Sequence, residues 1–226
     1  MNKTAIDLQN ISAGYDQEVL RAANLTVAQG SYVGIFGPNG SGKSTLLKVI
    51  CGLLRPTSGT LQILERPIRT NKDRDWIRRQ IGYLAQIQAP GQLPITVMDS
   101  VLLGRWGRFF SGLKRPSSQD RRRVQETLEL VGIEALAKRD LRQLSGGQRQ
   151  KVALARALVR DPEILLMDEP TTYLDPEAQE ALVEQIKELH AKLPLTILVV
   201  THQIQHSWGF SQAWQMQYGL LEEVVA

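Results

Sequence analysis

Residues Gly37 to Thr45 read Gly-Pro-Asn-Gly-Ser-Gly-Lys-Ser-Thr. They follow a short apolar segment at 31–36, which predicts a buried strand, and precede helix-like apolar spacing from Leu46 to Leu54. Gly37 to Ser44 matches G-x-x-x-x-G-K-[ST] at every fixed position, in the strand–loop–helix context that this motif needs. Glycines let the loop wrap phosphates with backbone N–H groups, and the helix offers its positive N-terminal end. The sequence therefore predicts a nucleoside triphosphate site.

The residues of this loop are expected to hold ATP together with Mg²⁺. Lys43 is expected to reach the β- and γ-phosphates, and Ser44 to place its hydroxyl on the metal. The predicted nucleotide contacts in the loop are Gly37, Pro38, Asn39, Gly40, Ser41, Gly42, Lys43, Ser44 and Thr45. The motif alone indicates only a P-loop NTPase, a class that includes kinases, GTPases and helicases.

Segments on either side of the loop predict an α/β fold. Residues 164–168 and 196–201 are continuous apolar runs, typical of parallel strands that are covered on both faces. Alternating apolar residues at 4–11, closed by Gly14, predict an edge strand. Two further strands are expected, at 60–64 and 80–86.

The pattern turns helical between residues 96 and 142, where Val124, Leu128 and Val131 recur at near-helical intervals. A mainly helical insertion at 87–143 is therefore predicted.

Composition excludes several classes of protein. The chain of 226 residues has 42% hydrophobic and 22% charged residues, an ordinary globular mix. Its apolar runs are far shorter than the roughly 18 residues of a membrane span, and the N-terminus lacks the apolar core of a secretory signal. One cysteine, Cys51, cannot form an internal disulfide, which fits a reducing compartment. Residues 105–123 are basic, but no aromatic–basic alternation indicates nucleic-acid binding.

A second glycine-containing motif indicates which kind of P-loop NTPase the chain is. Leu144 to Gln148 reads Leu-Ser-Gly-Gly-Gln, and helix-like sequence follows it. A serine and two glycines opening a helix make a second anion site, so a partner chain is expected to complete each nucleotide site. With these two motifs, the sequence resembles the ATPase subunits of ABC transporters from about residue 5 to 205. In that family the second motif faces the phosphate loop of the opposite subunit, which implies nucleotide contacts from Ser145, Gly146, Gly147 and Gln148.

The resemblance implies roles for six further residues. Asp168 and Glu169 end an apolar strand, where two carboxylates are costly without a role. Asp168 is expected to help hold Mg²⁺, and Glu169 to act as general base toward the attacking water. The other matches to the family are Gln86, which senses Mg²⁺ and the membrane partner; His202, which contacts the γ-phosphate; Tyr15, which stacks on adenine; and Asp175, which bridges the two subunits. The expected catalytic set is Glu169, His202, Lys43 and Gln86, and the expected metal set is Ser44, Gln86 and Asp168.

The resemblance also implies the architecture and the partners. It predicts one ABC ATPase domain: a P-loop NTPase core at 1–86 and 144–226 with a mainly parallel sheet and an N-terminal antiparallel β part, and a helical subdomain at 87–143. The expected partners are a second copy of the chain or a homologous subunit, arranged head to tail, integral membrane permease subunits and a solute-binding protein. No nucleic acid is expected, and the expected location is the cytoplasmic face of the cell membrane.

Two residues depart from the family pattern, and one segment suggests a cargo. Tyr173 stands where the family usually has a small residue or asparagine, and Gln203 where it usually has an acid. Residues 94–107 resemble importers of manganese and zinc, and iron-chelate importers carry a similar Leu-Gly-Arg stretch. Export or mechanical signalling at the membrane remains an alternative to import.

Overall fold

The computed structural model of the chain describes residues 3–86, 94–105, 116–202 and 208–224. In chain order the elements are β1 (Thr4–Gly14), β2 (Glu18–Ala28), β3 (Tyr32–Phe36), α1 (Lys43–Ile50), β4 (Ser58–Ile63), β5 (Arg66–Pro67), α2 (Asn71–Gln80), β6 (Ile81–Leu84), α3 (Val97–Arg105), α4 (Ser118–Val131), α5 (Gly146–Leu158), β7 (Ile164–Asp168), α6 (Pro176–Lys192), β8 (Thr196–Thr201), β9 (Gln212–Gln217) and β10 (Leu220–Val224).

The strands form two sheets. A six-stranded sheet has the order β10-β9-β3-β8-β7-β6, and all neighbours are parallel except β10, which pairs with β9 in antiparallel fashion. A four-stranded antiparallel sheet has the order β2-β1-β4-β5. The predicted α/β fold, with a mainly parallel sheet and an N-terminal antiparallel part, is confirmed.

Apolar layers cover both faces of the parallel sheet. Successive residues of a strand point to opposite faces, so Leu198 and Val200 of β8 pack toward α1 and the antiparallel sheet. Ile197 and Val199 pack on the other side, among residues of α3, α4, α5 and α6. This two-sided burial is why β7 and β8 are continuously apolar in sequence, and both have the predicted bounds.

The prediction that the first strand lies at a sheet edge is wrong. β1 pairs with β2 on one side and with β4 on the other, so it lies inside the antiparallel sheet. Its partner β4 is about fifty residues away in sequence, and no local pattern reveals such a neighbour.

Several predictions fall wholly or partly outside the described residues. Gln203 and residues 106–115 of the basic segment lie there, as does the start of the helical insertion at 87–93. The division of the chain at 87–143 stays a prediction. Among the described residues, no helix has the length and apolarity that crossing a bilayer requires.

The order of the parallel strands brings four chain segments together. β3, β8, β7 and β6 are successive neighbours, and all four run in the same direction. The residues that follow their carboxyl ends therefore meet at one edge of the sheet, where ligands bind in folds of this type. These residues are the phosphate loop after β3, His202 after β8, Glu169 after β7 and Gln86 after β6.

Candidate active site

The phosphate loop connects the end of β3 to the start of α1. Gly40 and Gly42 have φ values of 81° and 110°, a region that is strained for residues with a side chain. The turn between β9 and β10 supports the loop, since the Gly219 amide donates to the carbonyl oxygen of Ser41 at 3.0 Å. The loop is therefore shaped by its glycines and held from one side by a hairpin.

Lys43 is a buried cation inside this loop. Its Nζ donates to the carbonyl oxygens of Gly37 at 2.8 Å and Pro38 at 3.1 Å. The same nitrogen lies 3.5 Å from Oε1 of Glu169. A buried charge needs such partners, so Lys43 is fixed between the loop and the carboxylate that follows β7.

Glu169 is held by contacts on both sides of its carboxylate. His202 Nδ1 lies 2.7 Å from Glu169 Oε2, and the His202 amide donates to the same oxygen at 3.3 Å. An ionised carboxylate can only accept hydrogen bonds, so His202 donates through Nδ1 and keeps Nε2 for another partner. Thr172 Oγ1 donates to Oε2 at 3.4 Å, whereas Oε1 accepts no hydrogen bond. Oε1, which faces Lys43 Nζ, is therefore the carboxylate oxygen that accepts no hydrogen bond.

Asp168 ends β7 and contacts two other elements. Ser44 donates to its Oδ1 at 3.0 Å, and Tyr83 on β6 donates to its Oδ2 at 3.1 Å. Burial raises the pKa of the Asp168 carboxyl above its ordinary value, and the two donated hydrogen bonds oppose that rise. Tyr83 was not predicted from the sequence. Tyr83 could be recognised as a site residue only from its position on the strand next to β7, and the order of the strands is not visible in the sequence.

Most of the predicted catalytic and loop residues share one cleft of about 620 Å³. Val19, Thr172 and Tyr173, which were not among the predicted site residues, also line it. The predicted residues in its lining are Asn39, Gly40, Gly42, Lys43, Ser44, Thr45, Gln86, Glu169 and His202. Tyr15 lies outside this lining. Its ring is 63% exposed, and its hydroxyl accepts from Lys48 Nζ on α1 at 3.1 Å. The adenine-stacking role of Tyr15 stays a prediction.

The motif at 144–148 lies elsewhere, at the start of α5. The Ser145 hydroxyl accepts from the Gln148 amide at 3.2 Å, and Gln148 Oε1 accepts from the Ser145 amide at 3.1 Å, which is a capping box. Gly147 and Asp175 line a second cleft of about 320 Å³. Asp175 caps α6 by accepting from the Ala178 amide at 2.9 Å. None of the described residues that line this cleft also lines the first one.

The first cleft has the chemistry that ATP with Mg²⁺ requires. Lys43 and the N-terminus of α1 suit a polyphosphate. Ser44, Asp168 and Gln86 offer oxygen donors, which Mg²⁺ prefers. Within residues 3–86, 94–105, 116–202 and 208–224, no three His, Cys, Asp or Glu side chains cluster as a metal cage. A sparse oxygen set of this kind fits a Mg²⁺ that keeps its waters and the phosphates of its substrate.

Comparison with known proteins settles the family. The family model described as ABC transporter matches residues 20–172. This chain belongs to the ABC transporter ATPases. It is therefore an ATP-binding and ATP-hydrolysing subunit of an ABC transporter, and the resemblance found in its sequence is confirmed.

Three curated ABC proteins are similar over most of their lengths. The manganese transport system ATP-binding protein MntB of Bacillus subtilis is 40% identical over 202 residues, 88% of this chain and 78% of MntB. The zinc transport system ATP-binding protein TroB of Treponema pallidum is 38% identical over 203 residues, 89% of this chain and 73% of TroB. The lipoprotein-releasing system ATP-binding protein LolD of Saccharophagus degradans is 35% identical over 232 residues, 99% of each chain.

Solved ABC cassettes share the fold. CbiO1 of Clostridium perfringens, part of the ABC transporter complex CbiONQ, superimposes with a TM-score of 0.85 at 29% identity, covering 97% of this chain and 87% of CbiO1. The cassette MJ0796, in a dimeric post-hydrolysis state bound to ADP and Pi, gives a TM-score of 0.81 at 31% identity, covering 98% of this chain and 99% of MJ0796.

Proposed function

We propose that two copies of this chain close head to tail around two ATP·Mg²⁺ and thereby drive the import of a divalent metal ion. The observation that carries the two-copy arrangement is the separation of the two anion-binding motifs. The phosphate loop and Gly147 line different clefts of one chain, which supports a nucleotide site that is completed by a second chain. A second copy supplies the missing motif to each site, in closed two-fold symmetry.

Within each site the residues divide the work of hydrolysis. Lys43 binds the phosphates, and Glu169 takes a proton from the attacking water through Oε1. His202 orients Glu169 through Nδ1 and keeps Nε2 for the terminal phosphate. Ser44, Asp168 and Gln86 would hold the Mg²⁺, which offsets the charge of the phosphates when bound.

Outside the nucleotide sites, the chain is proposed to dock on integral membrane permease subunits at the cytoplasmic face of the membrane. Opening and closing of the two-copy sandwich would move those subunits through a shift between two states. For an importer, a solute-binding protein on the opposite side delivers the cargo. The membership of relatives such as CbiO1 in membrane complexes supports this assignment.

The cargo is proposed from two agreeing sources. MntB and TroB, named for manganese and zinc transport, are 40% and 38% identical to this chain. The segment at 94–107, taken by its sequence alone, resembles the same importers. Both indicate manganese or zinc as the cargo, and an iron complex is the alternative cargo.

A second candidate function is release of lipoproteins from a membrane. LolD is less identical, at 35%, but its similarity covers 99% of both chains. In that case the permease would extract lipid-anchored proteins, and cellular metal would not depend on this ATPase.

Elemental analysis of whole cells separates the two candidates. Cells carrying the parent chain are compared with cells carrying Lys43→Ala, which removes the phosphate-binding cation. The metal proposal expects a selective fall of manganese, zinc or iron in the variant, and re-expression of the parent chain should restore that metal. A selective rise would indicate export. Unchanged metals, with lipoproteins retained in the wrong membrane, would favour the LolD-like function.

A further inference from the structure

The phosphate loop packs closely against the hairpin of β9 and β10. A Cβ built on Gly37 would lie 2.1 Å from the carbonyl oxygen of Met216 on β9. A Cβ built on Gly42 would lie 2.9 Å from Met216 Cε, and the Met216 side chain is fully buried, so it has little room to move. These two glycines therefore do more than wrap a phosphate, because they let Met216 lie directly behind the loop.

The turn of the same hairpin makes a second contact with the loop. The Gly219 amide donates to the carbonyl oxygen of Ser41 at 3.0 Å, and the Gly219 carbonyl accepts from the Arg21 amide of β2 at 3.0 Å. The φ of Gly219 is 82°, and a Cβ there would lie only 2.0 Å from the carbonyl oxygen of Val19. Another residue type would therefore displace the backbone of β2 or of the turn. Gly219 bridges the phosphate loop and β2.

This bridge joins two walls of the nucleotide cleft. Val19 on β2 lines the cleft together with residues of the phosphate loop. Val19 and Leu20 also face the loop, since their side chains would lie 3.3 and 3.1 Å from a Cβ built on Gly42. β2 belongs to the antiparallel sheet, whereas the loop follows β3 of the parallel sheet, so the hairpin sets the spacing of the cleft across the two sheets. The ring of Tyr218, in the same turn, is 75% exposed.

We infer that Met216 and Gly219 are positioning residues for ATP: the β9–β10 hairpin holds the phosphate loop against β2 in the shape that binds nucleotide. A loop that is ordered before its ligand arrives loses less conformational entropy on binding, so this support raises affinity. Once ATP is bound, its own contacts order the loop. Loosening the hairpin should therefore raise KM for ATP much more than it lowers kcat. The inference needs ATP binding by one chain and does not need a second copy.

The first test compares two glycine-to-alanine variants by calorimetric titration with AMP-PNP·Mg²⁺, which is not turned over. Gly219→Ala should raise the Kd at least about tenfold, because the carbonyl of Val19 must move and the bond to Ser41 is strained. Gly30→Ala is the matched control, since Gly30 has a similar φ of 74° but a Cβ there would meet nothing within 4 Å. It should keep the parental Kd, and its Tm reports the backbone strain alone. Parental affinity in Gly219→Ala would overturn the inference.

Met216→Ala tests the inference without changing the turn, and it serves if Gly219→Ala does not fold. The lost side chain leaves space behind Gly42, so KM for ATP should rise about five- to tenfold while kcat stays within about twofold. Met216→Leu refills the space and should restore the parental KM. Ile63→Ala is the control, because Ile63 is equally buried in the same apolar layer but lies on β4, which pairs with β1 and β5. It should lower Tm and leave KM unchanged.

These comparisons separate positioning from general stability. A parental KM in Met216→Ala, or an equal rise of KM in Met216→Ala and Ile63→Ala, would show that the hairpin supports only the fold. Lys43→Ala distinguishes that failure from a failure of the nucleotide site itself. Parental affinity of Lys43→Ala for AMP-PNP·Mg²⁺ would overturn the phosphate-binding role of the loop, whatever the hairpin variants do.

Discussion

Glu169 combines a strained backbone with a buried charge. Its φ is 50°, and its side chain is only 9% exposed between Lys43 and His202. Such strain costs on the order of 1–3 kcal/mol, and it persists where the surrounding structure enforces it. The His202 amide and ring and the hydrogen bond from the Glu169 amide to the Val200 carbonyl at 2.9 Å provide that enforcement. The geometry therefore aims a carboxylate at the phosphate loop at a cost in stability.

From this geometry we predict that Glu169→Gln separates binding from turnover. The amide keeps the shape of the side chain but cannot accept a proton from water, so phosphate release should fall by about 10²–10⁴-fold. Equilibrium binding of ATP should persist. Glu180→Gln, an exposed change on α6, is the control and should retain turnover. Turnover at the parental rate in Glu169→Gln would refute the assignment of the base.

Tyr83 makes a prediction about pH. Burial raises the pKa of the Asp168 carboxyl, while hydrogen bonds from Ser44 and Tyr83 lower it by stabilising the charged form. Tyr83→Phe removes one donor, so the pKa should rise further and the carboxylate should be lost at a higher pH as the medium is acidified. The acid limb of the ATPase pH profile should move to higher pH by a fraction of a unit. Tyr218→Phe should leave the limb in place, and an unmoved limb in Tyr83→Phe would contradict the role given to this hydrogen bond.

At the scale of elements, the position of α5 depends on two glycines. A Cβ on Gly82 of β6 would lie 2.5 Å from the carbonyl oxygen of Ala157, and one on Gly104 of α3 would lie 2.6 Å from that of Arg156. Both carbonyls belong to α5, the helix that carries the 144–148 motif at its N-terminus. The absent side chains let a strand and a helix approach α5 closely.

Gly82→Ala should therefore destabilise the fold by about 1–3 kcal/mol, since backbone atoms must shift to admit the methyl group. In a chain of this length that corresponds to a fall in Tm of roughly 2–12 °C, measured by thermal unfolding. Gly147→Ala is the matched control for stability, because its Cβ would meet Ala178 at an ordinary 3.6 Å. Equal melting of parent and Gly82→Ala would show that α5 has room to move.

The elements also show how far the sequence predicts this fold. Runs buried on both faces, such as 164–168 and 196–201, predict β7 and β8 to the residue because each has four consecutive apolar residues. No prediction was made for β2, where polar and apolar residues mix in a half-exposed strand. The predicted edge position of β1 was wrong because the neighbours of a strand are set by contacts that are distant in sequence. Local chemistry specifies elements, and long-range pairing specifies their order.

At the scale of the whole molecule, the site also divides into residues that a local sequence pattern predicts and contacts that only the folded chain creates. Asp168 and Glu169 were predicted because two carboxylates after a buried strand are costly without a role. The Tyr83 hydrogen bond to Asp168 joins residues 85 positions apart, and nothing in either segment alone indicates it. The second motif, at 144–148, was predicted as an anion site, yet in one chain its Ser145 and Gln148 bond each other. Its proposed ligand belongs to an assembly larger than the chain.

Mixing two inactive variants tests that assembly. Lys43→Ala lacks a working phosphate loop and Ser145→Arg lacks a working second motif, so neither alone should hydrolyse ATP. A head-to-tail pair of one with the other has one site in which the Ser145→Arg chain supplies Lys43 and the Lys43→Ala chain supplies Ser145. Random pairing makes half of the dimers mixed, with one intact site of two, so about a quarter of parental phosphate release should return if the sites act independently. Mixing Lys43→Ala with Glu169→Gln is the control and should restore nothing, because both changes fall on the same half-site. A site completed within one chain would leave the first mixture as inactive as the second.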